Sequence, residues 1–392
     1  MRVLIMTGGF AGPSRQPWLM DDLAEALADV GHSVEVVVFD SKDPRPRGEQ
    51  QSHGLGITVF SAGIARRPRG PLKRVRSHIA VAVGLHVCAF RWARQRHYDL
   101  CIFTSPALLS WWLPWRLRRA GATSHTLLFL WDFFPIHQLE IGRIGFSWLG
   151  RALKLLERSA ISGADTVALM SPANLQFFRR YHRGSVPATI QIPPWSSSKP
   201  VASMAPDLPP LRVIFGGQIT RGRGIDTLLN AAELLIDEKD EIQFWIAGDG
   251  PQRSILARSA HDRGLVNVRF YGALEREAYR SLARRAHVGV AITVPGISPP
   301  SFPSKIVEYC SLGLPVVVCV ESSSDAGEFV ARHGAGVAVP AGDALALAEA
   351  LRGLRRRLGS RELRLMSCAA LELFESRFSV RRVVEACERI VG

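Results

Sequence analysis

No apolar run in this chain reaches the ~20 residues that a membrane-spanning helix needs, so no such helix is expected. The opening MRVLIMTGG has too short an apolar run for a signal peptide and reads as a first strand that stops at Gly8-Gly9. The six cysteines (Cys88, Cys101, Cys310, Cys319, Cys368 and Cys387) have no close pairing and mostly lie in apolar runs. That argues against a disulfide frame or a zinc site and for buried thiols in a reducing compartment, the cytoplasm. Neither an Asp-x-Asp pair nor a histidine cluster is present, so no metal site is expected. Short-period repeats and low-complexity tracts are lacking too.

Acidic residues are scarce in one region. Residues 1–200 hold 25 Lys and Arg against 13 Asp and Glu, a net of +12, while the rest of the chain nets only +2 of the total +14. Between residues 60 and 120 there are twelve basic residues and one acid, Asp99. This belt contains IAVAVGLHVCAF and LLSWWLPWRLRR, where Trp111, Trp112 and Trp115 adjoin Arg116, Arg118 and Arg119. Tryptophan beside arginine suits the headgroup layer of an anionic bilayer. The competing reading is a buried helix with a solvated basic face. Nucleic acid is not the expected partner, because no recognition motif accompanies the charge.

A length of 392 residues with 47% hydrophobic content exceeds one usual domain. Strand-like runs alternate with helical ones: Arg2–Met6, a helix near Pro17–Val30, GHSVEVVVFD, then LCIFTSP, TLLFLWD, DTVALMSP and ATIQIPPW. The alternation predicts a β-α-β start and one parallel sheet. Residues 1–193 are read as the first domain and the Pro- and Ser-rich 194–210 as a linker. Residues 211–376 carry six more short strands, and 377–392 a last helix that returns to the first domain. The fold class is therefore α/β, with two doubly wound domains facing across a cleft. A nicotinamide-binding domain also starts with a strand ending in glycines, but Gly8, Gly9 and Gly12 lack the G-x-G-x-x-G spacing. Such a loop suits close approach to a phosphate or an acceptor sugar, or it is an ordinary turn.

Four segments of the second half, FGGQITRGRGIDTLLNAAELL, FWIAGDGPQRSIL, VRFYGALEREAYRSLARRAHVGVAI and PSKIVEYCSLGLPVVV, occur in a characteristic order. They resemble the donor-binding domain of retaining, nucleotide-sugar-dependent glycosyltransferases of the GT-B fold, glycosyltransferase family four, of the type that builds bacterial surface polysaccharides. The resemblance is good from Leu211 to Val339 and weak before Asp99. It implies a nucleotide diphosphate-sugar donor, UDP favoured over GDP, with neither metal nor cofactor. It also implies a lipid-linked saccharide acceptor and a protein peripheral on the cytoplasmic face of the membrane.

The chemistry needs cations where charge builds on the departing diphosphate. The family places an arginine after the first strand's glycines and a lysine before a later glycine. Here these positions hold Gln218, after Gly217, and Arg223, before Gly224, with Arg221 as a substitute. Lys305 and Glu308 are three apart and Ser304 and Glu308 four apart, so they share the N-terminal face of one helix. The bland reading is a capping serine and a local ion pair. The functional reading puts Glu308 on the ribose hydroxyls, which a carboxylate can accept in pairs, and Ser304 and Lys305 near the distal phosphate.

Gly272, Ala273 and Leu274 are expected to border the base, and Asp249 to make a turn. The family's first glutamate, eight residues before Glu308, is Pro300 here. The transferred sugar must then be held by main-chain and hydroxyl groups of residues 296–302, Ser301 among them. Asp132 and His137, after TLLFLWD, are candidates to orient the acceptor hydroxyl. Two other readings remain open on sequence: a GT-B nucleotide-sugar epimerase, and an inactive scaffold at the membrane.

Overall fold

Strand β1 (Arg2–Thr7) is buried at every position after Arg2, as a strand covered on both faces of its sheet must be. It belongs to a computed structural model that describes residues 1–10, 18–39, 50–62, 86–106, 112–140, 148–182 and 187–392. The chain divides into two units, Met1–Ile192 with Val380–Gly392, and Pro193–Ser379.

In the first unit β1 is followed by β2 (Ser33–Val38), β3 (Gln50–His53), β4 (Ile57–Ser61), β5 (Tyr98–Thr104), β6 (Thr123–Phe129), β7 (Thr166–Leu169) and β8 (Ala188–Gln191). The spatial order is β3-β4-β2-β1-β5-β6-β7-β8. All neighbours are parallel except β3 and β4, where Gln50 stands opposite Phe60. This edge hairpin departs from the expected wholly parallel sheet. A parallel connection needs a dozen or more residues, and only the Gly54–Gly56 turn separates these two strands. The core packs Leu4, Phe103, Leu128 and Val167.

The second unit comprises β9 (Leu211–Gly216), β10 (Ile242–Ala247), β11 (Val268–Gly272), β12 (Val288–Ile292), β13 (Val316–Val320) and β14 (Gly336–Pro340). Their order is β11-β10-β9-β12-β13-β14, parallel throughout. The chain winds outward from β9 in one direction, then crosses back to start again at β12. That reversal leaves a crevice beyond the carboxyl ends of β9 and β12, where open α/β sheets bind ligands. Leu228, Ile246, Val290 and Leu351 fill the core beneath.

The segment 194–210 is laid along the second unit, with Val201 N–H donating to Ser311 O at 2.8 Å and Met204 N–H to Arg284 O at 2.7 Å. The last helix, Val380–Val391, packs on helix Leu19–Asp29 of the first unit, and His32 meets Glu388 at 2.9 Å. Cys101, Cys310, Cys319 and Cys387 are buried, and burial pushes their thiols up, Cys101 and Cys387 to about 12. Cys368 is exposed.

Candidate active site

The crevice of the second unit is built on a close-packed turn. β9 ends at Gly216, where a Cβ would fall 2.1 Å from Tyr279 Oη. The Gly216 N–H donates to Tyr309 Oη at 3.0 Å, and the Tyr279 hydroxyl donates to Tyr309 Oη at 3.4 Å. Tyr309 fits because Gly289, inside β12, has no side chain; a Cβ there would lie 2.3 Å from the ring. Burial pushes both phenols well up, so they remain neutral donors and acceptors. Neither tyrosine was singled out from sequence. The available signal was a glycine inside the strand HVGVAI, which marks close approach by another group.

Above this shelf lies a cavity of about 220 Å³, lined by Gly217, Gln218, Arg223, Ile292, Ser304 and Lys305 among others. The Lys305 ammonium sits 4.4 Å from the Tyr279 ring centroid and is ion-paired with Glu308. Arg223 is exposed on the short turn Arg221–Arg223. Gly224 follows it at φ +62°, and a Cβ at that residue would stand 2.4 Å from Thr293 O. Only glycine allows this turn to settle against the end of β12, which explains the glycine that follows Arg223.

Other expectations fare differently. Arg221 is exposed and does not line the cavity, whereas Arg223 does. Ser304 precedes helix Lys305–Ser311 but makes no capping hydrogen bond, which corrects the capping reading; its residue lines the cavity instead. Glu308 lies one turn along, turned to Lys305, and is not among the lining residues. Gly272, Ala273 and Leu274 do not line it either, and Gly272 faces Arg253, whose Nη2 would be 3.2 Å from an added Cβ. Asp249 accepts the Gly250 N–H at 2.8 Å in its turn. The Ser301 hydroxyl is buried without a hydrogen-bond partner, while its N–H donates to Glu321 at 2.6 Å.

In the first unit Gly9 O accepts from the Thr7 hydroxyl at 3.2 Å and from Trp18 Nε1 at 3.0 Å. Gly8 and Gly9 thus start a packed turn, and Gly12 lies outside the described residues. Asp132 is exposed; its N–H and that of Trp131 donate to Ser105 Oγ at 3.2 and 3.1 Å, tying the ends of β5 and β6 together. His137 is half-buried on helix Ile136–Glu140, 3.4 Å from Gln138 Nε2. Beneath this loop sits fully buried Glu157, accepting from Tyr181 Oη at 2.5 Å, its carboxyl pushed up to about 8 by burial.

The aromatic belt is only partly a surface. Trp111 and the basic residues 66–76 lie outside the described residues. Trp112 is half-buried beside Phe90 and His86, with Arg116 stacked over it at 5.2 Å, so this ring packs inward rather than standing free. Arg118 is ion-paired with Asp165. Trp115, 47% exposed with Arg119 stacked on it, keeps the outward position expected of it. Among the described residues no helix is long and apolar enough to cross a membrane, and no three His, Cys, Asp or Glu side chains group to hold a metal.

Two α/β units on largely parallel sheets, the second with a cation-lined crevice at its strand reversal, make up the GT-B fold. Residues 19–195 match the Glycosyl transferase 4-like domain and residues 210–356 match Glycosyl transferases group 1; the chain belongs to this family. Over 348 residues it is 28% identical to the phosphatidyl-myo-inositol mannosyltransferase of Mycobacterium leprae, covering 85% of this chain and 82% of that protein. It is 24% identical over 338 residues to WcaI of Escherichia coli K12, named a colanic acid biosynthesis glycosyl transferase, covering 78% and 80%. The fold is that of sucrose-phosphate synthase from Thermosynechococcus elongatus, with TM-score 0.76, 18% identity and coverage of 99% and 98%. Anabaena HepE, solved in complex with UDP, matches with TM-score 0.69, 16% identity and coverage of 100% and 99%.

Proposed function

We propose that the chain transfers a hexose, with retention, from a UDP-sugar to a lipid-linked saccharide at the cytoplasmic face of the membrane, without a metal or cofactor. The observation that carries this reading is the convergence of Arg223, Ser304 and Lys305 on one cavity at the switch point of the second unit. The acceptor hydroxyl attacks the anomeric carbon as the bond to the diphosphate breaks. Arg223 and Lys305 stabilise the charge that grows on the leaving oxygens. Glu308, released from Lys305 as that ammonium turns to phosphate, is then free to accept from the ribose. The donor's own phosphate takes the acceptor proton, so retention needs position and charge rather than a further base.

Two relatives support the finer points. HepE was solved with UDP, which favours that nucleotide, and the mycobacterial relative is named for moving mannose to a phosphatidylinositol, a lipid acceptor. Exposed Trp115 with Arg119, and exposed Trp148, suit a lipid surface. The test is a thermal-shift panel of nucleotides and nucleotide sugars, followed by product analysis with lipid-linked acceptors in the presence of a chelator. UDP and a UDP-sugar should raise the melting temperature, and product with the donor's anomeric configuration should form only when acceptor is supplied. Preferential stabilisation by nicotinamide dinucleotides would refute the proposal.

A further inference from the structure

Glu321 follows β13 directly and is 3% exposed, yet no lysine or arginine is among its hydrogen-bond partners. A buried carboxylate persists only where its oxygens are satisfied. Both are taken by one loop: Oε2 accepts the Thr293 hydroxyl and Oε1 the Ser301 N–H, each at 2.6 Å. Its neighbours grip the same loop, Ser323 Oγ donating to Ile297 O at 2.9 Å and Ser324 Oγ to Ser301 O at 2.6 Å. The segment ESSS therefore fixes residues 293–301 at start, middle and end.

That loop joins the residues that line the cavity, running from Ile292 on one side to Pro303 on the other. Thr293 O is also the atom against which Gly224 turns, and the Thr293 main chain is held there by its own N–H, which donates to Cys319 O at 2.9 Å, so the Arg223 turn does not depend on Glu321. The loop contains Pro300, where a side-chain carboxylate for the sugar is missing. The nearby buried carboxylate of Glu321 is committed to the loop itself, to the Thr293 hydroxyl and the Ser301 N–H.

We propose that Glu321 is a positioning residue for the sugar half of the donor: by fixing the loop 293–301, it presents main-chain groups to the transferred sugar in place of the carboxylate that Pro300 omits. This rests on the reading of the cavity as a nucleotide-sugar site. Its signature is a difference between ligands. UDP is held by side chains of Arg223, Lys305 and Glu308, whereas the sugar depends on the loop.

The experiment is calorimetric titration of wild type, Glu321→Gln and Ser324→Ala with UDP, UDP-glucose and UDP-galactose, with melting curves to verify folding. For whichever UDP-sugar binds wild type most tightly, affinity should fall about tenfold in Glu321→Gln and about threefold in Ser324→Ala, with UDP affinity changed less than about twofold. Amide exchange at Ser301 should quicken in both variants. Parallel losses for UDP and UDP-sugar, or no loss in folded variants, overturn the proposal; if Glu321→Gln does not fold, Ser324→Ala decides. A wild-type chain that binds none of the three overturns the nucleotide-sugar reading itself, and this proposal with it.

Discussion

Replacing Glu308 by alanine separates two opposed effects. The carboxylate is ion-paired with Lys305, and the side chains are 20% and 30% exposed, so the pair is partly screened and contributes at most about 1 kcal/mol. A carboxylate accepting from ribose hydroxyls contributes about 1.5–3 kcal/mol to donor binding. The substitution forfeits the second interaction but leaves Lys305 unpaired beside the phosphates, returning up to about 1 kcal/mol. The net expectation is a loss of about 0.5–3 kcal/mol, roughly 2- to 150-fold in Kd for UDP. Glu308→Gln, which keeps one acceptor oxygen, should lose less. Calorimetry on protein whose melting curve shows it folded measures both. Unchanged or tighter UDP binding in folded Glu308→Ala would refute the ribose role and leave Glu308 as a mere partner of Lys305.

Burial raises the Glu157 carboxyl from its ordinary 4.5 to about 8, so the native state holds its proton more tightly than the unfolded chain. Stability from this group is full below about pH 4.5 and declines as pH rises through about 8; Glu157→Gln should flatten that part of the melting-temperature profile, and an unaltered profile would count against it. Tyr309→Phe strips the acceptor from the Gly216 N–H and should cost about 1–3 kcal/mol in denaturant unfolding, with Tyr279→Phe milder. Gly224→Ala should displace the Arg223 turn and lower turnover at least about tenfold, because both φ and Thr293 O oppose a side chain; steady-state kinetics at wild-type rates would contradict this. Neutralising Arg116 and Arg119, but not the ion-paired Arg118, together with Trp115→Ala, should weaken salt-sensitive co-sedimentation with anionic liposomes while leaving UDP affinity unchanged.

Periodicity alone located most of the architecture. Runs such as LRVIFGG, IQFWIAG and LPVVVCV, too short for a helix and set off by glycine or proline, read as buried parallel strands, and each appears where expected. The antiparallel β3 was missed because QQSH is polar and exposed, with no alternation to mark it. Motif spacing likewise placed Lys305 and Glu308 on one helix, since four residues make a turn whatever the surroundings.

What spacing does not encode is which way a side chain turns, and who meets it from a distant part of the chain. Motif spacing already favours Arg223 over Arg221; what the packed chain adds is the seating of Gly224 on Thr293, a contact between residues 69 positions apart in sequence, which sets Arg223 on the cavity wall. Trp112 was drawn inward by Phe90 and His86, which share no local pattern with it. The tyrosines under Gly216 and the carboxylate of Glu321 look like ordinary core and surface residues in one dimension. They acquire roles only when parallel strands bring their ends together, because burial, and with it the demand that every polar atom find a partner, is a property of the packed chain.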